Sequence, residues 1–259
     1  MAAPPVKFEV ASVKPNKSSD LRNMGIKATP GGKITYTNVP LLLVIAIAYD
    51  VPFQSAQRLT GAPDWTRSER FDIEAAAPEG AIPPTASARE RDAILHRMMQ
   101  SLIEERFKLV AHREMKDMPV YAVVVGKRGV KLDKSGMEEK DCPSDEKSDK
   151  VSCHNFRGGQ GRGLHSDAAT IEDAATFVSN WSDRPVVDQT GIKTLFRFDT
   201  PGWVPMQMTG ANGQSPEGLD DPLRPSLFGI FDRMGLKLES RKAPVDMVRI
   251  ESIEHPAEN

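Results

Sequence analysis

An internal repeat of about half the chain length is the feature that most constrains how this sequence can fold. Residues 31–41 (GGKITYTNVPL) align without a gap on residues 161–171 (GRGLHSDAATI), an offset of 130 (161 − 31) in a chain of 259 residues. Two further pairs of segments keep the same order: 71–74 with 196–199, and 107–109 with 236–238. Identities are few, so the interpretation rests on pattern and order. The sequence predicts two pseudo-repeated halves and leaves their chemistry open.

The hydrophobic pattern predicts the same elements in each half, in the order strand, strand, helix, strand, helix and hairpin. In the first half Pro40 opens an apolar helix that ends near Tyr49. A capping box from Ser87 to Glu90 starts a second helix, in which apolar residues recur every three or four positions. A hairpin with its turn at 116–117 follows. The pattern therefore places a buried helix and an amphipathic helix in one half.

Strands that alternate with single helices favour an α+β fold with mixed or antiparallel sheets. The composition changes abruptly in the middle of the chain, where Lys, Asp, Glu, Ser and Gly replace the apolar residues. We expect a first α+β repeat at 8–130, a polar Gly-rich linker with the cysteine pair at 131–163, and a second α+β repeat at 164–254. The second repeat is expected to close with a hairpin of 236–239 and 245–253.

The overall composition excludes two classes of partner. Lys and Arg number 34 against 36 Asp and Glu, and this net charge of −2 does not supply the attraction that nucleic acid binding requires. The longest apolar run, residues 41–49, is far shorter than the roughly 20 residues of a membrane helix. We therefore expect neither a nucleic acid partner nor a transmembrane segment.

The two cysteines bear on the compartment of the protein. Cys142 and Cys153 lie in a polar stretch where a buried thiol is not expected. A disulfide, which persists in oxidising compartments, is the favoured interpretation, and free thiols are the alternative. Residues 1–5 show neither a basic nor an apolar signal region. We expect a periplasmic or secreted protein whose signal peptide is absent or trimmed in this chain, with a cytoplasmic protein as the alternative.

A zinc site is the sharpest metal hypothesis that the sequence allows. Its ligands would be Cys142, Cys153, His154 and His165. The spacing lacks the Cys-x2–4-Cys knuckle of structural zinc sites, and the adjacent Cys153 and His154 suit a tetrahedral site poorly. The sequence therefore favours a disulfide with two surface histidines and predicts no metal. It predicts no cofactor either, because the Gly-rich residues 157–163 lack the Gly-Lys-Ser/Thr ending of a phosphate loop.

No residue is assigned a catalytic role from the sequence. A Gly-x-Ser-x-Gly nucleophile elbow does not occur. If the protein is an enzyme, its general acid and base are expected among Asp72, Glu74, His112 and Asp199. Asp72 and Glu74 alternate onto one strand face, as a glycosidase pair does. The solvent face of a half-buried strand is polar in any case, so the pair is weak support for catalysis.

A ligand site is expected in the long Pro- and Gly-rich loop of residues 201–225. Trp203, Met206 and Met208 lie in this stretch. Methionine side chains are flexible and polarisable, which suits an adaptable apolar binding patch. The ligand is an unknown small molecule, glycan or peptide, or a partner protein.

Several segments of the chain together resemble a known family. They are residues 8–17 (FEVASVKPNK), 31–49, 106–109, 112–114, 119–121, 184–191 (RPVVDQTG), 235–240 and the final PAEN. Over essentially the whole chain they resemble the soil-associated, acidobacterial (Solibacter-type) domain of unknown function. The resemblance implies proteins exported behind a signal peptide, present in many copies per genome and sometimes fused to membrane metallopeptidases of the beta-lactam-sensor type. It brings no catalytic residues, and this chain departs from it by lacking a recognisable signal.

Three functions follow as hypotheses, and whether the protein is an enzyme stays open. The first is an exported, non-catalytic binding or sensing module, which predicts an apolar groove. The second is an extracytoplasmic hydrolase with carboxylate or histidine chemistry between the halves, which predicts that the four acid and base candidates cluster. The third is a structural or protein-interaction protein, which predicts an exposed strand edge or apolar patch.

Overall fold

The chain folds into two compact units. In the computed structural model described here, the described residues are 6–18, 20, 23–29, 31–52, 58–86, 88–142, 153–204 and 225–256. The first unit contains the described residues up to Glu114 and those from Asp246 onward, and the second contains those from Met115 to Val245. The C-terminal residues therefore pack with the N-terminal half, an association over long sequence distance that local patterns do not indicate.

The first unit is built on a four-stranded antiparallel sheet. Its elements in chain order are β1 (Val10–Asn16), β2 (Gly25–Ala28), β3 (Lys33–Pro40), α1 (Leu41–Ala48), β4 (Leu59–Thr60), α2 (Trp65–Ser68), β5 (Arg70–Ala76) and α3 (Ala88–Phe107). The sheet has the order β1-β5-β3-β2. Alternate residues such as Tyr36, Phe71 and Ile73 are buried in one core with α1 and α3. Burial raises the pKa of Tyr36 to about 12.

The two helices of this core have the character that the sequence predicts. Helix α1 begins directly after Pro40, and most of its side chains are buried, because it is apolar nearly all round. Helix α3 buries one stripe that includes Met98, Met99 and Ile103, and its last residue, Phe107, contacts the edge of Phe71. Charged and other polar residues occupy most of the remaining positions of α3. Among the described helices, none combines the length and the apolar character required to span a membrane.

The second unit contains a three-stranded antiparallel sheet with the order β10-β8-β7. Its elements are β7 (Arg157–Gly159), β8 (Gly163–Ala169), α4 (Ile171–Val178), β9 (Val186–Asp188), β10 (Phe196–Asp199) and α5 (Leu227–Arg233), with 3-10 turns at Glu139–Asp141 and Ser179–Trp181. Strand β7 lies within the predicted linker. A Cβ on Gly159 would lie 2.7 Å from the Trp181 ring, so glycine here permits close packing rather than a flexible connection.

Two long strands, β6 (Val110–Val125) and β11 (Leu236–Ser252), replace the two predicted hairpins. Each is continuous through the polar stretch that the sequence interpretation assigned to a turn. Residues 115–117 and 240–242 are exposed, so their polarity reflects solvent contact within a strand. Strand β11 has β4 as a neighbour, and β6 has β9 as a neighbour. In the first unit Val248 of β11 lies opposite Leu59 of β4, and in the second unit Tyr121 of β6 lies opposite Val186 of β9.

The α+β class with mixed and antiparallel strands is confirmed. Each unit, taken by itself, contains an antiparallel hairpin, a helix, a short strand that pairs in parallel, another strand that pairs with the hairpin, and a further helix. In each unit the pairing of the hairpin with the later strand has a register shift. This order is what a duplication would produce, and the duplication itself stays a prediction.

Gly163, the first residue of β8, and Gly161 just before it provide a test of the local packing. Gly161 and Gly163 both have positive φ, +75° and +90°. A Cβ on Gly161 has no neighbour within 4 Å, whereas a Cβ on Gly163 would lie 1.9 Å from the carbonyl oxygen of Thr200. Gly161→Ala should cost about 1 kcal/mol of unfolding free energy, and Gly163→Ala about 3–5 kcal/mol, because the latter adds a backbone collision.

Chemical denaturation of the two variants beside the parent protein measures this difference. Because both glycines share the same conformational penalty, the comparison isolates the steric effect of Thr200. Equal destabilisation by the two variants would show that β8 and β10 do not approach as closely as described.

Candidate functional site

A histidine, two carboxylates and a disulfide meet at one place in the second unit. We refer to Glu139, Cys142, Cys153, His154 and Asp173 as the His154 centre. Glu139 begins the 3-10 turn that Cys142 ends. Cys153 and His154 lie beside the end of β8, and Asp173 lies in the first turn of α4. Three short segments that are separate in the sequence therefore contribute to one site.

The two cysteines form a disulfide, as the sequence predicts. The Cys142 and Cys153 sulfur atoms are bonded at 2.08 Å, and their Cα atoms lie 5.6 Å apart, within the usual range for a disulfide. Both residues are half-buried. For this sequence separation of 11, the chain-entropy model attributes about 3 kcal/mol of stabilisation to the bridge. Such bridges persist in oxidising compartments, so the disulfide points to an extracytoplasmic location.

His154 is held at its backbone and at both ring nitrogens. Its N–H donates to the carbonyl oxygen of Ala168 at 2.8 Å, and its φ of +58° lies in the left-handed region. Ring atom Nδ1 lies 2.7 Å from Asp173 Oδ2, and Nε2 lies 3.0 Å from both carboxylate oxygens of Glu139. Asp173 Oδ2 also accepts hydrogen bonds from the N–H and hydroxyl of Thr170, at 2.8 Å each. Asp173 thus links the histidine to the capping box of α4.

The electrostatics of the centre favour an imidazolium between two carboxylates. The hydrogen bond to Asp173 raises the pKa of His154 and outweighs burial, and the negative charges of Asp173 and Glu139 act in the same direction. Burial by itself would raise the pKa of Asp173, but hydrogen bonds from His154 and Thr170 outweigh it, and the pKa is lowered. Both shifts favour the same charged pair, so the ring is a double donor in this state.

A pH-dependent contribution to stability follows from these shifts. The raised pKa of His154 contributes stability that is fully present below the unfolded value, about 6.5, and is lost as pH rises through the folded value. The lowered pKa of Asp173 contributes stability above its unfolded value, about 3.9, which is lost as pH falls through the folded value. His154→Gln should lower the unfolding free energy by about 1–3 kcal/mol near pH 5 to 6, and by less as pH rises above about 6.5.

Urea denaturation across a pH series measures this contribution, with His165→Gln as the matched control. His165 is also paired with an aspartate, but its partner Asp199 is 83% exposed, so that pair should contribute about 1 kcal/mol or less. An effect of His154→Gln that is constant with pH, or that grows toward alkaline pH, would contradict the assignment of a charged pair.

The geometry restricts what His154 and His165 can do chemically. Both nitrogens of the His154 ring are occupied by carboxylates, so the ring has no free lone pair with which to accept a substrate proton. His165 Nδ1 lies 2.8 Å from Asp199 Oδ1, while its Nε2 lies 2.8 Å from the carbonyl oxygen of Arg162. A histidine–aspartate pair whose other nitrogen is bonded to the backbone lacks the arrangement of a catalytic base.

Of the predicted pair Asp72 and Glu74, Asp72 has a structural role. Asp72 accepts hydrogen bonds from Asn16 Nδ2 and from the backbone N–H of Asn38, the latter at 2.8 Å. Asn38 is buried with φ of +55°, at the register shift between β3 and β5. Asp72 therefore supports a strained backbone position. Glu74 is exposed and lies in register with Ser12 of β1.

The remaining acid and base candidates have other partners. His112 is exposed on β6, with Nδ1 3.4 Å from Glu251 and Nε2 4.0 Å from Glu114. Within the first unit, the described contacts of His112 and those of Asp72 have no residue in common. Asp199 belongs to the second unit, with His165 as its partner. The described contacts do not bring these four candidates into one acid and base constellation.

The predicted ligand residues are only in part described. Trp203 is buried at 1% exposure in the core of the second unit, where its ring contacts the edge of Trp181. Its Nε1 has no hydrogen-bond partner among the described atoms. Met206 and Met208 lie outside the described residues. Trp203 thus acts as a core residue that positions the start of the predicted loop.

Glu139 and Asp173 are members of the centre that the sequence interpretation missed. Asp173 lies 19 residues from His154 and Glu139 lies 15 residues from it, beyond the range of local motifs. One signal was present: Thr170 and Asp173 have the spacing of a capping box, which places a carboxylate at a helix start. No comparable signal marks Glu139, which lies in a run of charged residues.

Comparisons with known proteins identify a family for this chain but no relative of known activity. The profile of a family described as a protein of unknown function (DUF3738) matches residues 43–253, which is most of the chain. Neither the curated proteins nor the solved structures contain a match to this sequence. Function must therefore be inferred from the residues of the chain itself.

Proposed function

Since the chain belongs to the DUF3738 family, whose function is unknown, we propose from its own residues that it is an extracytoplasmic, non-catalytic binding or sensing module. The observation that carries the proposal is the state of His154 and His165 in the second unit. Both ring nitrogens of His154 lie beside carboxylates, those of Asp173 and Glu139. In His165, one ring nitrogen lies beside Asp199 and the other beside the carbonyl oxygen of Arg162. Side chains arranged in this way bridge neighbouring segments, which is a structural role.

The extracytoplasmic part of the proposal rests on the disulfide. A half-buried Cys142–Cys153 bridge is favoured where thiols are not kept reduced. The resemblance to an exported, soil-associated acidobacterial family agrees with this location, and we propose the same origin and export for this chain. Met206 and Met208 remain the proposed ligand contacts, with the buried Trp203 as a fixed base for that segment.

The two alternative functions make demands that the described residues support less well. A hydrolase with acid and base side chains needs them to face one substrate, and Asp72, His112 and Asp199 have separate partners. A protein that binds through strand pairing needs an open sheet edge. The edge strands of the first sheet carry Pro15 in β1 and Lys27 in the short β2, and such residues discourage strand addition. Met24 and Ile26, at the β2 edge, are exposed apolar residues, and they support partner binding as the second candidate function.

We expect a ligand that binds without turnover. A thermal-shift screen of the disulfide form against glycans, peptides and cell-wall fragments should give a saturable shift with one class, and mass spectrometry of the incubated ligand should show no product. Asp199→Asn and His112→Gln should bind that ligand within about two-fold of the parent, because both side chains are exposed and make only surface ion pairs. Met206→Ser with Met208→Ser should weaken binding by about ten-fold or more.

The proposal would be contradicted if the parent protein formed product and this activity were lost in Asp199→Asn or His112→Gln. These two variants are better controls than Asp72→Asn, because Asp72 accepts a hydrogen bond from the buried backbone of Asn38 and its replacement would also disturb folding.

The location is tested by the redox state of the cysteines in cells. Rapid acid quenching, alkylation and mass spectrometry should show unmodified Cys142 and Cys153 with the loss of two hydrogens from the peptide pair, because the bridge is closed. Alkylation of both thiols in protein taken directly from the host would contradict an oxidising location. Protein reduced before alkylation is the control for access of the reagent.

A further inference from the structure

We propose that the His154 centre is a redox-gated metal site, in which opening the disulfide exposes ligands for one zinc-class divalent ion. The two cysteine sulfurs, His154 Nε2 and the Glu139 carboxylate would be the four ligands. This inference goes beyond the binding or sensing function and does not depend on which ligand that function uses.

The ligand atoms are already close together. The donor atoms of Glu139, Cys142 and His154 all lie within 4.8 Å of one another, and Cys153 Sγ is bonded to Cys142 Sγ. In a tetrahedral zinc site with Zn–S distances near 2.3 Å, two thiolates lie about 3.8 Å apart. Three of the four donor atoms thus already lie close enough to approach one ion, and the fourth, Cys153 Sγ, is joined to them through the bridge. A sulfur pair, an imidazole and a carboxylate also suit a borderline-soft metal such as zinc.

A further contact orients the imidazole as metal sites require. Asp173 Oδ2 holds His154 Nδ1 at 2.7 Å, which leaves Nε2 directed at Glu139. A carboxylate on the second nitrogen of a metal-binding histidine sets its tautomer and ring orientation. Asp173 is in turn held by the N–H and hydroxyl of Thr170 at the start of α4. The histidine is therefore positioned by a rigid element before any metal arrives.

The sequence-based zinc set used His165 as its fourth ligand, and the structure favours Glu139 instead. His165 is engaged by Asp199 and by the carbonyl oxygen of Arg162. Glu139 already lies 3.0 Å from His154 Nε2, and its side chain is 65% exposed, so it is free to rotate. The adjacent Cys153 and His154 are also less awkward than the spacing implied, since the positive φ of His154 turns the backbone between them.

The chemistry of the switch balances with a dithiol as reductant. The dithiol transfers two electrons and two protons to the Cys142–Cys153 bond and becomes a disulfide itself, leaving two protein thiols. Binding of the divalent ion then releases one proton from each thiol, and the proton on His154 Nε2 is released as the metal takes its place. The bridge and the metal thus exclude each other, because the same two sulfur atoms form either the S–S bond or the two metal–sulfur bonds.

Cobalt(II) titration of the full chain tests the proposal, because a sulfur–cobalt bond has its own charge-transfer absorption. The protein is reduced with a phosphine, which does not bind the ion as a dithiol would, and is compared with the disulfide form. We expect one cobalt per reduced chain with charge-transfer and tetrahedral d–d absorption. The disulfide form should bind at least about 100-fold more weakly and without the sulfur band.

Variants identify the ligands. His154→Ala and Glu139→Gln should each weaken cobalt binding by more than about ten-fold, and Asp173→Asn by about 10–100-fold with unchanged stoichiometry. His165→Ala is the matched control and should bind like the parent. Cys142→Ser with Cys153→Ser should abolish the sulfur band. Far-UV circular dichroism of each reduced protein confirms that it is folded. If His154→Ala does not fold, Glu139→Gln, at an exposed position, still tests the ligand set.

Two results would overturn the proposal. One is reduced, folded protein that binds cobalt no more tightly than the disulfide form or shows no sulfur band. The other is a loss of binding in His165→Ala while Glu139→Gln binds like the parent. Both concern the metal alone, so they are separate from the ligand screen that tests the binding function.

Discussion

The docking of the C-terminal end of β11 into the first unit is the contact on which that unit depends. Asp246 is held there by two arginines: Arg58 Nε donates to its carbonyl oxygen at 3.0 Å, and Arg113 donates to its carboxylate. The short strand β4 then has β11 as its neighbour. Because Arg58 and Asp246 are 188 residues apart, this unit is complete only when nearly the whole chain has been made. The second unit likewise requires β6, which begins in the first.

This long-range pairing also explains which parts of the fold were predictable. Helix α1 was predictable from the apolar run after Pro40, and α3 from apolar residues that recur every three or four positions. The disulfide was predictable because two cysteines lie close together in a polar stretch. Two hairpins were predicted where β6 and β11 are continuous, because an exposed stretch within a strand has the same polar composition as a turn. Pairing partners such as Val248 and Leu59 leave no local signal, since each residue is only one apolar position among many.

The candidate site was predictable to the same limited extent. The sequence singled out Cys142, Cys153 and His154 by residue type, and the structure does bring them together. It could not indicate that Asp173 and Glu139 complete the site, because their approach depends on how the 3-10 turn and α4 pack. Among the acid and base candidates, Asp72 accepts a hydrogen bond from the backbone of Asn38, and His112 and Asp199 make surface ion pairs. A carboxylate or imidazole is informative about function only when its partners are known.

The His154 centre joins its segments by two kinds of interaction, a disulfide and ion pairs. The disulfide links the end of the 3-10 turn to Cys153, and the ion pairs link Glu139 and Asp173 to the adjacent His154. The first depends on redox potential and the second on pH, so neither condition alone removes both. Opening the bridge would leave His154 held by Asp173 and by the backbone of Ala168. The Cys142 sulfur atom would then lie near an imidazole that Asp173 already orients, as the proposed metal site requires.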